Sequence, residues 1–231
     1  LDAATAAATA AAAVASHKGA AQPAIASAAA LADDTLARVL DSSFAALNQL
    51  VRERGDELQS DGKFPPTSVG GTTAVVLVLS GAVCHVASVG DSRLVLGRGA
   101  RAVRVTADHK PRLQAEEARI VELGGFVSRG RVHGILSVSR SLGDFEFAPF
   151  VLAEPQVLSF RLTADDRCLL LASDGLWDVI SDDEAVEIAL RMGTGPAADP
   201  TAAGQFLVDE ALRRGSRDNV SVVCVFRDGD A

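Results

Sequence analysis

The apolar run Cys168–Ala172 (CLLLA) is the stretch that most constrains the fold of this chain. It has the length of one strand and polar residues on both sides, a pattern typical of a strand buried on both faces. The run leads directly into Ser173, Asp174 and Gly175. A carboxylate at the end of a buried strand is costly unless it is paired, hydrogen-bonded or bound to a metal ion. The Asp-Gly pair is therefore either an ordinary turn or a rigidly held carboxylate.

Two further aspartates stand in a similar context. Asp91 follows Gly90 at the end of the strand-like run 82–89, and Asp218 precedes Asn219 at the start of the run 220–226. If these strands lie in adjoining sheets, their tips can meet at one edge, where three carboxylates would repel each other unless a cation lies between them. Ligands that are all oxygen suit Mg²⁺ or Mn²⁺ better than zinc, and two such ions can activate a water and clamp a phosphate.

The rest of the chain shows hydrophobic periodicity from which we predict its elements. Ser181 and Glu184 form a capping box at the start of one helix, and Asp199 with Pro200 opens the last helix. The predicted elements are a helix over 36–51, a polar loop over 55–66, a hairpin of strands 72–79 and 82–89, strands 93–96 and 102–105 that continue it as an antiparallel meander, a helix over 112–123, a strand over 157–162, a helix over 182–192, a helix from 200 to 214 and a strand over 220–226.

Composition excludes some classes of function and of site. The 231 residues are 48% hydrophobic and 23% charged, as in ordinary soluble globular proteins, and no apolar run is long enough to span a membrane. A net charge of −8 would repel a nucleic-acid backbone. Cys84, Cys168 and Cys224 each lie in an apolar run, which favours buried thiols in a reducing compartment over a disulfide framework or a zinc site. We expect a monomer in the cytoplasm or nucleus.

Five motifs then appear in one order. They are SVGDSRLVL (88–96), TADHKP (106–111), RVHGILSVSRSLGD (131–144), LLLASDGLWDVISDDEAV (169–186) and GSRDNVSVVCV (215–225). Together they resemble the metal-dependent protein phosphatases (PPM, or type-2C). The resemblance implies an α+β fold, a four-layer α-β-β-α sandwich of two antiparallel sheets flanked by helices, over 32–231, with a flap at about 111–131. The Ala-rich segment 1–31 is predicted to be low-complexity sequence.

The resemblance also implies an activity, hydrolysis of phosphoserine and phosphothreonine in a phosphoprotein substrate by a metal-bridged water. By matching position, Asp174 and Asp218 would bind the pair of Mg²⁺ or Mn²⁺ ions, and Asp91 would bind a weaker third ion. Arg140 and Asp144 match a stretch at the edge of the site, where we expect them to be structural. The substrate-binding residues are not identified by the motifs.

One departure from the family pattern matters. The family's N-terminal strands carry an Asp-Gly-His-Gly-Gly motif that supplies a metal ligand and the proposed general acid, and this chain has no such motif. The four histidines have no evident catalytic partner, so no catalytic residue is assigned. Three hypotheses remain: an N-terminally incomplete phosphatase domain, a catalytically impaired pseudophosphatase that acts as a binding scaffold, or an unrelated α/β domain whose aspartates are turn residues.

Overall fold

The computed structural model describes residues 35–60, 70–194 and 199–227. The helices are α1 (Thr35–Ser60), α2 (Gln114–Glu122), α3 (Asp174–Trp177), α4 (Asp182–Gly193) and α5 (Pro200–Arg213), with a 3-10 turn at Phe145–Phe147. The strands are β1 (Ala74–Ser80), β2 (Val83–Val89), β3 (Arg93–Arg98), β4 (Arg101–Arg104), β5 (Val127–Ser128), β6 (Arg131–Val132), β7 (Gln156–Arg161), β8 (Asp166–Ala172) and β9 (Val222–Phe226). The predicted low-complexity segment 1–31 lies outside the described residues.

Two antiparallel sheets pack face to face and carry helices on their outer faces. One sheet has the order β1-β2-β7 and the other β4-β3-β8-β9, while β5 and β6 form a separate short hairpin. Val86, Leu94 and Leu169 lie in the core between the sheets. Helix α1 packs on the first sheet through Leu40 and Phe44. Helices α3, α4 and α5 pack on the second sheet, so the predicted α-β-β-α order of layers is confirmed.

Strand β8 is buried because alternate side chains enter two different cores. Leu170 packs toward the helices and Leu169 toward the other sheet, and both have an exposed fraction of 1% or less. This explains why the run is apolar at successive positions. The starts of α4 and α5 were also predicted correctly, since Ser181 and Glu184 form the capping box of α4 and the Asp199 side chain caps α5.

Two predictions about local structure were wrong. Residues 55–60 are not a loop, because α1 continues through a buried Gly55 to Ser60, supported by Arg54 bonding Glu57 one turn later at 2.6 Å. The strands 93–96 and 102–105 do not continue the first hairpin as a meander, because β3 and β4 belong to the second sheet. The chain changes sheets at Gly90, whose φ of 86° glycine adopts readily.

The three cysteines lie in the strands of the two sheets. Cys84 and Cys168 are buried, as predicted, whereas Cys224 is only half-buried; all three are free thiols. Burial raises the pKa of the Cys84 thiol to about 12, so it stays protonated and unreactive at neutral pH. Within the described ranges no helix is long and apolar enough to cross a bilayer.

Candidate active site

Asp91 and Asp174 come from different sheets and meet at one lysine. Asp91 follows β2 of the first sheet, and Asp174 follows β8 of the second. The Lys110 ammonium contacts Asp91 Oδ2 and lies 3.9 Å from Asp174 Oδ2. The Asp91 side chain is 6% exposed and that of Asp174 is 32% exposed, so the pair lies where the sandwich opens to solvent. The expected convergence of strand tips is therefore seen for these two aspartates.

The loop that carries Lys110 is fixed by its own preceding residues. The His109 backbone N–H donates to Gly90 O at 2.8 Å, and the Gly90 N–H donates back to His109 Nδ1 at 3.1 Å. Burial, reinforced by nearby Arg140, lowers the pKa of His109 to about 4, so the ring is neutral at physiological pH. These two bonds join the loop to the residue that precedes Asp91.

A buried arginine fixes the same loop from the other side. Arg93 donates two bonds to Asp108, from Nε at 2.9 Å and from Nη2 at 2.7 Å, and a third to Asp182 at 2.5 Å. Its guanidinium also lies 5.1 Å from the centre of the Trp177 ring. Because Asp182 begins α4, Arg93 connects the Lys110 loop, the start of β3 and helix α4. This geometry makes Arg93 a structural residue of the GDSR motif.

Asp174 lies in a surplus of negative charge. Burial, followed by the carboxylate of Asp91, raises its pKa above the usual range, and Asp218 and Asp178 add to the rise. The ammonium of Lys110 lowers the pKa of Asp174. A cation placed among these carboxylates would relieve the repulsion.

Asp218 is positioned by close packing between α3 and the loop before β9. Ser173 Oγ donates to Asn219 O at 3.0 Å and accepts from the Ser221 N–H at 3.1 Å. A Cβ on Gly175 would lie 2.4 Å from Asn219 O, so only glycine permits this approach. Asp218 itself is exposed and accepts from its neighbour's N–H at 2.7 Å.

These residues fit one cation position more clearly than a complete metal centre. The donors at the site are carboxylate oxygens, as a hard divalent ion requires. The Lys110 ammonium shows that a positive charge is accommodated between Asp91 and Asp174. In the part of the chain that the structure describes, however, no three candidate ligands are close enough together to hold a metal ion. Asp218 is thus coupled to Asp174 through charge and not through a shared ligand geometry.

The expected flap region is organised by a buried ion pair. Glu116 of α2 accepts from Arg140 at 2.8 Å and from Arg119 at 2.9 Å. Burial would raise the pKa of Glu116, but the two guanidinium groups outweigh it and hold the pKa at about 2. Asp144 accepts from Ser141 at 2.6 Å and adopts a φ of 47°. The structure thus gives Arg140 and Asp144 structural contacts, in agreement with their sequence-based interpretation.

Lys110 is the residue that sequence reasoning missed. The motif TADHKP was recognised, but its lysine was not assigned to the site. The signal that could have identified it was a lysine within a recognised motif, in a chain whose clustered aspartates require a positive charge to offset their repulsion. Two of the described histidines make other contacts: His85 Nδ1 lies 2.8 Å from Ser159 Oγ, and the His133 ring stacks on Phe126 and meets Phe150 at a tilt of 59°.

Comparison with known families gives one consistent match. The family model described as "Protein phosphatase 2C" matches residues 5–220. Protein phosphatase 2C 50 of Oryza sativa is 42% identical over 196 residues, which cover 74% of this chain and 49% of the relative. Protein phosphatase 2C homolog 1 of Saccharomyces cerevisiae is 42% identical over 142 residues, which cover 62% of this chain and 49% of the relative. The chain therefore spans about half the length of these relatives.

Solved structures agree with the layer order described above. A C. elegans sex determining protein superposes with a TM-score of 0.73 at 28% identity, covering 86% of this chain and 48% of that chain. Serine-threonine phosphatase 2C from Toxoplasma gondii superposes with a TM-score of 0.60 at 27% identity, covering 81% of this chain and 68% of that chain.

Proposed function

The chain belongs to the protein phosphatase 2C family, and from that premise we propose that it is a metal-dependent phosphatase acting on phosphoserine and phosphothreonine in proteins. The observation that carries the proposal is the meeting of Asp91 and Asp174, from two different sheets, at one cation position. Mg²⁺ or Mn²⁺, when bound, would supply the activated water and neutralise the phosphate oxygens.

The protein's own residues provide position and charge. Asp174 stands at the start of α3, where close packing of Gly175 against Asn219 fixes the backbone. Asp91 follows Gly90, which two hydrogen bonds join to His109 beside Lys110. Without a cation, these carboxylates would repel a phosphate dianion. The arrangement therefore supports substrate binding only when the negative charge is compensated.

Proton donation to the leaving group has no evident source among the described histidines. A pKa of about 4 keeps His109 neutral at pH 7, so it cannot act as a general acid there. Departure of a serine or threonine alkoxide needs a proton. We propose that the solvent supplies this proton.

A second candidate function is a catalytically impaired phosphatase that binds a phosphoprotein without hydrolysing it. Lys110 favours this alternative, because its ammonium already compensates Asp91. The described residues also bring no third ligand to the cation position. The two candidates differ in turnover and can share the ability to bind phosphopeptides.

The test is hydrolysis of a phosphothreonine peptide by the full chain in the presence of Mn²⁺. We expect activity that EDTA abolishes and that Asp174→Asn lowers by about 100-fold or more, because the amide cannot hold a cation as the carboxylate does. Asp209→Asn is the matched control, since it makes the same charge change on α5, where Gln205 bonds Asp209 at 2.8 Å. Equal turnover by Asp174→Asn and the parent chain would contradict the assignment of Asp174 to the active site. Absence of turnover together with phosphopeptide binding would support the second candidate.

A further inference from the structure

We propose that Lys110 is a built-in cation, held by the fold between Asp91 and Asp174, and that a divalent ion binds there only by displacing its ammonium group. This deepens the proposed function, because it concerns the same site. It is a statement about metal affinity, however, and it can be tested whether or not the chain turns over substrate.

The geometry places the ammonium where a shared cation would lie. Lys110 Nζ contacts Asp91 Oδ2 and lies 3.9 Å from Asp174 Oδ2. The lysine side chain is only 18% exposed, so solvent screens its charge less than it screens that of a surface lysine. An ion bound to both carboxylates would lie within a few ångströms of this ammonium, and the two positive charges would repel each other.

The lysine is held in this position by the fold. Asp108 is bonded to the buried Arg93, and His109 is bonded to Gly90 through its backbone N–H and its ring. Pro111 follows directly and restricts the backbone of Lys110. Displacement of the ammonium therefore requires rotation of the lysine side chain while its backbone stays fixed.

The surrounding charges make the lysine important when no metal is bound. Besides burial, the neighbouring carboxylates of Asp91, Asp218 and Asp178 raise the pKa of Asp174, and the ammonium of Lys110 lowers it. Removing the lysine would leave Asp91 buried without its cation, which destabilises a protein strongly. A divalent ion would then be the remaining way to neutralise the cluster.

The experiment compares the parent chain with Lys110→Met, which keeps the unbranched shape and most of the length of the side chain and removes its charge. Mn²⁺ binding is measured by titration calorimetry, and the melting temperature is measured in EDTA and in Mn²⁺. We expect Lys110→Met to bind Mn²⁺ about tenfold more tightly or better, to melt several degrees lower in EDTA, and to gain more from Mn²⁺ than the parent chain does.

Two control variants separate this effect from others. Lys110→Arg keeps the charge and should bind Mn²⁺ within about threefold of the parent chain. Arg112 lies two residues after Lys110 and its side chain is exposed. Arg112→Met removes one positive charge there and should leave Mn²⁺ affinity unchanged. If Lys110→Met does not fold, Lys110→Gln replaces it in the experiment, because the neutral amide of Gln can still donate a hydrogen bond to Asp91.

A lysine with only a structural role would give a different result. Its loss would lower the melting temperature in EDTA and would weaken or not change the binding of Mn²⁺. Unchanged, weaker or undetectable Mn²⁺ binding by Lys110→Met would overturn the proposal. Failure of the phosphatase assay would not, because neither readout depends on turnover.

Discussion

At the scale of single residues, two neighbours in one loop differ in charge, because His109 is neutral and Lys110 is positively charged. His109 is 6% exposed and neutral, and it fixes the loop to Gly90. Lys110 is charged and contacts Asp91. The neighbouring groups account for this difference, because the His109 ring meets a neutral N–H of Gly90 whereas the Lys110 ammonium meets the carboxylate of Asp91. The loop can therefore hold a charge in place without placing a second one beside it.

The neutral state of His109 predicts how stability depends on pH. Its pKa falls from 6.5 to about 4 on folding, so the unfolded chain binds the proton more readily between these values. The free energy of unfolding therefore decreases as pH falls through this window, by about 2 kcal/mol at pH 5. Urea denaturation at pH 7.5, 6.5 and 5.0 measures the decrease.

The matched variant is His109→Asn, whose amide oxygen can accept from the Gly90 N–H but does not titrate in this range. We expect it to lose clearly less stability than the parent chain over the same pH interval. Equal losses in the two proteins would show that His109 does not account for the pH dependence.

At the scale of elements, the site depends on α3 fitting closely against the loop before β9. Gly175→Ala would place a methyl group 2.4 Å from Asn219 O and force the loop that carries Asp218 to move. We expect a loss of about 1–3 kcal/mol in the free energy of unfolding. Chemical denaturation at pH 7.5 measures it.

Another glycine serves as the control for this change. Gly204 lies inside α5, and a Cβ there would meet only Val222 O, at an ordinary 3.6 Å. Gly204→Ala should stabilise the chain by about 0.5–1 kcal/mol, because alanine favours the helix. If both alanine variants behaved alike, close packing at Gly175 would not be the cause.

The elements themselves differed in how well local patterns predicted them. The hairpin of β1 and β2 and the starts of α4 and α5 were confirmed, because turn and cap residues act over a few positions. The end of α1 was misplaced, because Gly55 is buried in a helix that a polar composition had suggested was a loop. The sheet to which β3 belongs could not be predicted, since its pairing partner β8 lies about 70 residues further along the chain.

At the scale of the whole molecule, the core between the sheets is not covered equally along its length. Val86 on β2 is fully buried in this core. Val223 on β9 is paired with Leu171, so it points to the same side of its sheet as Leu171, yet it is 56% exposed. Among the described residues, β9 pairs only with β8 and forms an edge of the sheet.

This difference predicts unequal costs for the same substitution. Val86→Thr buries a hydroxyl in the core between the sheets and should lower the free energy of unfolding by about 1–3 kcal/mol. Val223→Thr should change it by less than about 0.5 kcal/mol, because the hydroxyl stays in water. Parallel urea titrations of the two variants measure both values. A large loss for Val223→Thr would mean that this side chain is buried in solution.

The sequence by itself determined which family the chain belongs to, the apolar strand β8 and the caps of two helices, and it singled out Asp91, Asp174 and Asp218 as candidate ligands. These follow from short motifs and from hydrophobic period, which act locally. Only the tertiary structure decided that Asp91 and Asp174 meet at Lys110, that Arg93 and His109 hold this lysine in place, and that Asp218 stays outside its immediate contacts. The physical reason is that charge pairing depends on distances between strands far apart in sequence, which local patterns do not contain.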